Sequence, residues 1–313
     1  MTGLSEYTGL DFLRFLETHA VHVRDQSELR TKILEISSDG PQNFQVISDF
    51  DRTLTPQWLK DPCSISGVLR GCQSSHGVIE SSSLVSVAYA KHTKELASHY
   101  IPLEHDIHLS RELKTKICEE WYQKAHECML AENLSQSLID KIVSKCWSDL
   151  EIHLRENTQH FFESCARNEV PVTVLSAGLA DVISRILELE SIHGSGDVMV
   201  VGNRMTFGDD GQHIGFSDRV IHTLNKRNAL SESILNSEGR CQRKNALVMG
   251  DLIGDVDFVH SVPHLSQYIA IAFLADGPDH EVRLKEYLKH FDIVVTGGSA
   301  SMDVPAELLK TLF

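Results

Sequence analysis

Short apolar runs that alternate with helical stretches limit the fold of this chain more than any other feature of its sequence. The strand-like runs are rich in Val, Ile and Leu and cover residues 44–47, 170–175, 198–201, 246–249, 269–273 and 292–295. Helical patterns separate the later runs and start at Leu179, at about Thr223, and over residues 278–290 and 305–312. Because strands that alternate with helices are joined by right-handed crossovers, the sequence predicts an α/β fold with a doubly wound parallel sheet.

The segment between the first two of these strands has a different texture. Residues 58–157 contain helix-forming stretches at 83–99, 110–131 and 135–155, each opening near a serine that can cap a helix, and no convincing strand. The segment is roughly a hundred residues long, which is the size of a small domain. We therefore predict an α/β core formed by residues 1–57 and 158–313, with an all-helical cap domain, residues 58–157, inserted over the strand end.

Two shorter stretches complete the expected secondary structure. Up to Gly40 the apolar spacing predicts one or two amphipathic helices, which end at the breaker run Ser-Ser-Asp-Gly-Pro. Residues 204–207 and 213–216, separated by Gly-Asp-Asp-Gly-Gln, predict a small antiparallel hairpin.

Composition narrows the class of protein. The chain has 29 Lys and Arg against 44 Asp and Glu, a net charge of −15, which argues against a broad basic surface for nucleic acid. No apolar window approaches the length of a membrane span, and the N-terminus lacks the pattern of a signal peptide. The seven cysteines contain no CxxC pair, so neither a disulfide framework nor a cysteine zinc site is indicated. We expect a cytoplasmic monomer that binds neither nucleic acid nor a membrane.

Polar clusters follow three of the predicted strands at their carboxyl ends. They are Asp49, Asp51 and Thr53 after the first strand, Ser176-Ala177-Gly178 after the second, and the Gly-Asp-Leu-Ile-Gly-Asp segment at 250–255. In an open α/β sheet the ligand site lies beyond these strand ends. We therefore expect the clusters to meet at one site, together with Lys226 at the start of a predicted helix.

The residue types in these clusters suit phosphate chemistry. Asp49, Asp51 and Asp251 offer carboxylates of the kind that Mg²⁺ binds together with water and phosphate oxygens. One carboxylate beside the metal can attack phosphorus directly, while its neighbour transfers protons to and from the reacting oxygens. A hydroxyl at Ser176, backbone amides and the ammonium of Lys226 can neutralise the phosphate charge. Together these residues predict a phosphatase.

The motifs also resemble a known family. Asp-Phe-Asp-Arg-Thr-Leu-Thr at 49–55 matches the DxDxT signature of haloacid dehalogenase (HAD) phosphatases, and the segments SAG, LNK and GDLIGD match the remaining motifs in order. From about residue 20 to the C-terminus the chain is similar to the cytosolic 5′-nucleotidase III (pyrimidine 5′-nucleotidase) family. The specific matches are 46–51, 120–122 with Lys124 and His126, 175–178, 220–222 with Asn225 and Lys226, and 250–251.

This resemblance implies a role for each matched residue. Asp49 would be the nucleophile and Asp51 the acid/base. Mg²⁺ would be held by the Asp49 side chain, the Asp51 carbonyl and Asp251, with Asp255 and Thr53 in support. Ser176, Ala177 and Lys226 would hold the phosphate. Glu104 would contact the nucleoside, and Tyr122 or Trp121 would stack on the base, with His76 nearby.

Three departures from the family pattern bear on the choice of base. Ala125 replaces a serine of pyrimidine-specific relatives, Gly-Asp-Leu-Ile-Gly-Asp replaces Gly-Asp-Ser-Gln-Gly-Asp, and Asn-Lys-Arg-Asn replaces Asn-Lys-His-Asp. The catalytic set is intact, but two substrate classes stay open: pyrimidine monophosphates such as UMP and CMP, and 7-methylguanosine monophosphate.

We predict an Mg²⁺-dependent 5′-nucleotidase, a phosphoric monoester hydrolase that releases nucleoside and phosphate through phospho-Asp49. Transfer of that phosphoryl group to another nucleoside is an expected side activity. Two alternatives stay open: a phosphatase for another small phosphomonoester such as phosphoserine, and a catalytically silent nucleotide-binding protein. A dehalogenase would need neither Asp51 nor Mg²⁺, so the second aspartate argues against it.

Overall fold

The computed structural model describes residues 3–60, 69–106, 108–192, 196–217, 219–237, 239–275 and 277–313. The strands within these residues are β1 (Val21–Val23), β2 (Phe44–Ser48), β3 (Trp58–Lys60), β4 (Leu69–Gly71), β5 (Val172–Leu179), β6 (Val198–Asn203), β7 (Met205–Phe207), β8 (His213–Phe216), β9 (Asn245–Gly250), β10 (Gln267–Leu274) and β11 (Ile293–Thr296). Seven of them form the main sheet, in the order β1-β11-β10-β9-β2-β5-β6. Only β1 is antiparallel to its neighbour in this sheet.

Helices cover both faces of the sheet and make up most of the inserted segment, residues 58–157. They are α1 (Gly3–Glu17), α2 (Gln26–Asp39), α3 (Gly77–Glu80), α4 (Val87–His105), α5 (Arg111–Ala131), α6 (Gln136–Ser148), α7 (Thr158–Arg167), α8 (Ala180–Leu189), α9 (Lys226–Leu235), α10 (His280–Tyr287) and α11 (Asp303–Leu312). Two 3₁₀ segments, Pro41–Asn43 and Ile253–Ser261, complete the described structure. None of the described helices is both long and apolar enough to span a membrane.

Strand β2 is an interior strand of the sheet, between β9 and β5, where the order of the strands reverses. Its neighbours are β5 on one side and β9 on the other, both parallel to it. Ser48 at its end is in register with Val174 of β5 and Met249 of β9, so the three carboxyl ends meet at one edge. The doubly wound parallel sheet is therefore confirmed, and its switch point is where ligands bind in such sheets.

Apolar side chains are buried on both faces of this sheet. Val46 and Leu247 belong to a cluster that includes residues of α2, α7 and α11, and Ile47 and Val248 belong to another cluster that includes residues of α9. Double-sided burial explains why these strands read as continuous apolar runs rather than as alternating ones.

The N-terminal forty residues contain a strand as well as helices. We expected only one or two helices there, but β1 lies between α1 and α2 and pairs with β11, with Val21 opposite Val295 and Val23 opposite Ile293. A three-residue strand leaves no periodic signal, and it forms because the sheet edge offers it hydrogen-bonding partners.

The inserted segment is mainly helical, but the expectation that it contains no strand was wrong. Strands β3 and β4 form a short antiparallel ladder that pairs Trp58 with Gly71 and Lys60 with Leu69. The helix expected over 135–155 ends at Ser148, just before Leu150, whose φ of +56° is incompatible with a right-handed helix.

The expected hairpin near residue 210 is confirmed as β7 and β8, with Met205 opposite Phe216. The turn and the start of β8 contact the inserted segment through the backbone: Gln136 N–H donates to the Gly211 carbonyl at 2.9 Å, and His213 N–H donates to the Leu134 carbonyl at 2.8 Å. The hairpin therefore links the inserted helices to the sheet.

Candidate active site

Asp49 and Lys226 form a buried ion pair at the end of β2. The Asp49 backbone N–H donates to the Met249 carbonyl at 3.0 Å, which holds the residue in line with β9. The Lys226 ammonium, at the start of α9, donates to Asp49 Oδ1 at 2.6 Å, and both side chains are less than a tenth exposed. Burial opposes the charge on Lys226, but the carboxylates of Asp255 and Asp49 raise its pKa, so the ammonium stays protonated.

Two further carboxylates, Asp251 and Asp255, lie close to the Asp49 carboxylate of this pair. Ligand oxygens of Asp49, Asp251 and Asp255 all lie within 4.8 Å of one another. Burial raises the pKa of Asp251, and the nearby negative charges of Asp49 and Asp255 raise it further. Burial also raises the pKa of Asp255, to about 6. Like charges this close are stable together only when a proton or a cation neutralises them, and three oxygen ligands suit a hard divalent cation. The cluster therefore fits a metal ion.

The backbone around these carboxylates is specialised. A Cβ at Gly250 would lie 2.3 Å from the Asp255 Cβ, so only glycine allows this close approach. Asp255 Oδ2 accepts from the Leu252 N–H at 3.0 Å, and the Tyr287 hydroxyl donates to the Asp251 carbonyl at 2.7 Å. These bonds fix the loop that carries Asp251.

Asp51 is held by a residue of the inserted segment that the sequence did not single out. Its two carboxylate oxygens accept from Ser75, one from the backbone N–H at 2.8 Å and one from the hydroxyl at 2.7 Å. Burial raises the pKa of Asp51 to about 6 despite these two bonds. Ser75 is fully buried, and no feature of its polar surroundings, Gln-Ser-Ser-His, would have predicted this contact.

The Ser-Ala-Gly segment lies at the carboxyl end of β5, within the strand rather than after it. Ser176 Oγ accepts from the Gly178 N–H at 2.9 Å. A Cβ at Gly178 would lie 1.8 Å from Ser75 Oγ, so this glycine makes room for the residue that holds Asp51. The Ala177 carbonyl accepts from the Asn203 amide at 2.7 Å, another contact that sequence reasoning missed.

The loop after Asp51 is fastened by a buried arginine. Arg52 adopts a left-handed φ of +64°, a conformation that costs energy in a residue with a Cβ. Arg155 donates to the carbonyls of Arg52 and Thr53 at 2.8 Å each and to that of Ala300 at 2.7 Å. Burial lowers the pKa of Arg155 to about 10, which leaves it charged near neutral pH. Thr53 is fully buried here. No motif in the sequence points to Arg155.

A cavity of about 300 Å³ opens above these residues. We call its sheet side the floor, formed by Asp49, Asp51, Ser176, Ala177, Lys226 and Asp251. We call its helical side the wall, formed by His76, Glu80, Trp121, Tyr122 and Ala125. Most of the residues predicted from the sequence therefore line one cavity, and Glu80 is an addition to them.

Aromatic rings dominate the wall. The rings of His76 and Tyr122 meet edge to face with centroids 5.7 Å apart, and Trp121 stacks on Tyr100 at 5.9 Å. Burial lowers the pKa of His76 to about 4, so its imidazole is neutral, and burial raises the pKa of Glu80. The wall thus offers flat apolar surfaces and one carboxyl group to a ligand.

Glu104 is not one of the described residues that line this cavity. Its Oε1 accepts from the Thr223 hydroxyl at 2.5 Å, and Thr223, in turn, does line the cavity. The predicted nucleoside contact of Glu104 is therefore separated from the cavity by one hydroxyl group. Asp255 and Thr53, which were predicted to support the site, are buried and are not among the residues that line the cavity.

Comparison with known proteins agrees with this geometry. Residues 64–313 match the family model described as pyrimidine 5′-nucleotidase (UMPH-1). The 7-methylguanosine phosphate-specific 5′-nucleotidase of Drosophila melanogaster is 33% identical over 93% of this chain and 86% of its own length. The protein of the same name from Homo sapiens is 29% identical over 93% and 91%.

A solved structure shows the same similarity. Cytosolic 5′-nucleotidase IIIB bound to cytidine is 32% identical, covers 94% of this chain and 93% of its own, and superposes with a TM-score of 0.78. The resemblance inferred from the motifs is confirmed, and the chain belongs to the pyrimidine 5′-nucleotidase family of phosphomonoester hydrolases.

Proposed function

We propose that this protein is an Mg²⁺-dependent 5′-nucleotidase that hydrolyses nucleoside 5′-monophosphates through a phospho-Asp49 intermediate. The observation that carries the proposal is the buried Lys226–Asp49 pair, set within a carboxylate cluster at the floor of an aromatic-walled cavity. Residues 1–57 and 158–313 form the catalytic core in this proposal, and residues 58–157 form the cap that supplies the wall.

The floor residues divide the reaction between them. A carboxylate oxygen of Asp49 attacks phosphorus, and as the bond from phosphorus to O5′ breaks, Asp51 gives its proton to the nucleoside oxygen. Water then attacks the phosphorus and gives a proton to Asp51, the bond from phosphorus to Asp49 breaks, and phosphate is released. Asp51 is suited to this exchange because its pKa of about 6 lies close to neutral pH.

Charge neutralisation accounts for most of the remaining catalysis. Asp49, Asp251 and the Asp51 carbonyl would hold Mg²⁺, which would supply positive charge beside the phosphate. Lys226, the Ser176 hydroxyl and the backbone at Ala177 bind the other oxygens. The wall excludes water while phospho-Asp49 exists.

Within this activity, the wall favours 7-methylguanosine monophosphate. The base of that nucleotide carries a positive charge, which aromatic rings and a carboxyl group stabilise. Trp121, Tyr122, His76 and Glu80 supply both groups. The relatives named as 7-methylguanosine phosphate-specific and the cytidine-bound structure make purine and pyrimidine substrates the two to compare.

We place the protein in the cytosol. Six cysteines in the described part of the chain are free, as expected in a reducing compartment, and a relative from Caenorhabditis elegans is named a putative cytosolic 5′-nucleotidase.

A substrate panel tests the proposal. Phosphate release is measured with 7-methylguanosine monophosphate, GMP, CMP, UMP and phosphoserine, each with Mg²⁺ and again with EDTA. We expect turnover of the methylated nucleotide and of CMP, loss of both with EDTA, and recovery when Mg²⁺ is restored. Faster turnover of phosphoserine than of every nucleotide would overturn the substrate class, and binding without turnover would indicate a silent nucleotide-binding protein.

A further inference from the structure

A second cavity, of about 330 Å³, lies next to the catalytic one. Its lining includes four cationic side chains, Arg111, Lys114, Lys226 and Arg227, and a single carboxylate, Asp257. We call it the basic cavity. A local excess of positive charge is notable in a chain with a net charge of −15, because most of its surface repels anions.

Three of these cations are free to bind a ligand. Lys226 pairs with Asp49, but within the described residues no carboxylate lies in ion-pair distance of the side chains of Arg111, Lys114 or Arg227. Unneutralised cations around a concave surface concentrate a positive potential there. The basic cavity therefore attracts small anions.

The basic cavity adjoins the site of phosphoryl chemistry. Lys226 and Thr223 line both cavities, so they form the partition between them. The Lys226 ammonium lies 2.6 Å from the Asp49 oxygen on which the phosphoryl group would be carried. An anion released from Asp49 thus starts in contact with a residue that also belongs to the basic cavity.

The two openings suit the two products differently. The catalytic cavity is lined by aromatic and apolar side chains of the wall, where a nucleoside fits. The basic cavity has the positive charge that a phosphate dianion needs, and its large apolar side chains, Leu109, Leu224 and Phe258, include one aromatic ring where the wall has several.

We propose that the basic cavity is an orthophosphate site, through which the phosphate product leaves without waiting for the nucleoside. This inference rests on the proposed function. Phosphate moves from Lys226 to Arg227, Arg111 and Lys114, exchanging one set of charge-assisted hydrogen bonds for another. Because Arg111 and Lys114 belong to α5 of the inserted segment, this site would join that segment to α9 of the core.

The test compares two triple variants that change the net charge equally. The first carries Arg111→Gln, Lys114→Gln and Arg227→Gln, and the control carries Lys91→Gln, Lys141→Gln and Lys285→Gln, three exposed lysines away from both cavities. Binding of inorganic phosphate is measured by calorimetry, and inhibition by phosphate and by nucleoside is measured in steady-state turnover. The single variant Arg227→Gln serves if the first triple variant does not fold.

We expect the basic-cavity variant to bind phosphate about tenfold more weakly and to be inhibited by it about tenfold less, with nucleoside inhibition unchanged. The salt dependence of phosphate binding should also flatten. Equal phosphate affinity and equal inhibition in both triple variants would overturn the inference. Since calorimetry needs no turnover, a protein that hydrolyses no nucleotide would refute the proposed function while the phosphate site is still tested.

Discussion

The floor of the catalytic cavity consists of residues that end or follow parallel strands or open a helix, whereas its wall consists of His76, just before α3, and residues of α3 and α5. Asp49 is positioned by the register of β2 with β9, so its place depends on the sheet alone. Trp121 and Tyr122 are positioned by how α5 packs against α4 and the hairpin. The floor is thus built for one reaction, whereas the wall can change its rings and charges without disturbing the chemistry.

One contact crosses from the wall side to the floor. Ser75, which precedes α3, holds both oxygens of Asp51, and Gly178 of β5 leaves the space that Ser75 occupies. Arg155, at the other end of the inserted segment, fastens the loop after Asp51. The inserted segment therefore supports the catalytic residues as well as enclosing them.

The largest expected effect comes from breaking the floor. Asp49→Asn removes the nucleophile while keeping its shape, so kcat should fall by about a thousandfold or more. Phosphate release with Mg²⁺ is the measurement, and circular dichroism checks that the fold is intact. Turnover within tenfold of the natural protein would contradict the assignment of Asp49.

The next effect concerns the attachment of the inserted segment. Arg155→Met leaves three carbonyls without their donor, which destabilises the fold, and removes a buried charge, which offsets part of that cost. We expect the free energy of unfolding to fall by about 3 kcal/mol. Urea denaturation measures it. The control Arg167→Met, on an exposed side chain, should change stability by less than about 0.5 kcal/mol. Equal effects of the two substitutions would show that Arg155 is not a structural link.

A smaller effect on turnover is expected from the contact between Ser75 and Asp51. Ser75→Ala removes the hydroxyl donor to Asp51, and kcat should fall by about thirtyfold with KM nearly unchanged, because Asp51 acts in the chemical step. Steady-state kinetics on the preferred nucleotide separates the two constants. The exposed Ser83→Ala is the control, and a change confined to KM would assign Ser75 to substrate binding instead.

The smallest effect tests whether the wall selects the base. Glu80→Gln removes a carboxyl group that can face a cationic base, so KM for 7-methylguanosine monophosphate should rise about fivefold. KM for CMP should change less than twofold, since its base is neutral. Equal changes for both nucleotides would leave the selection of the base to other wall residues.

Local sequence predicted the floor because its residues obey rules that need no knowledge of distant contacts. Asp49, Asp51, Ser176 and Asp251 each end or follow an apolar run, and parallel strand ends meet at one edge of a sheet. The same reasoning identified the sheet, the hairpin and the inserted helices. It missed β1 and the pair β3 and β4, because three-residue strands form only where a partner is offered.

What the tertiary structure alone decided is how distant parts of the chain support that edge. Ser75, Arg155 and Asn203 are ordinary polar residues in the sequence, and each becomes important only because folding brings it against a carboxylate or a carbonyl. The same holds for Glu104, which folding pairs with Thr223 at the border of the cavity. Strand ends follow from the periodicity of neighbouring residues. The supporting contacts depend on the packing of elements up to 145 residues apart, about which the local sequence carries no signal.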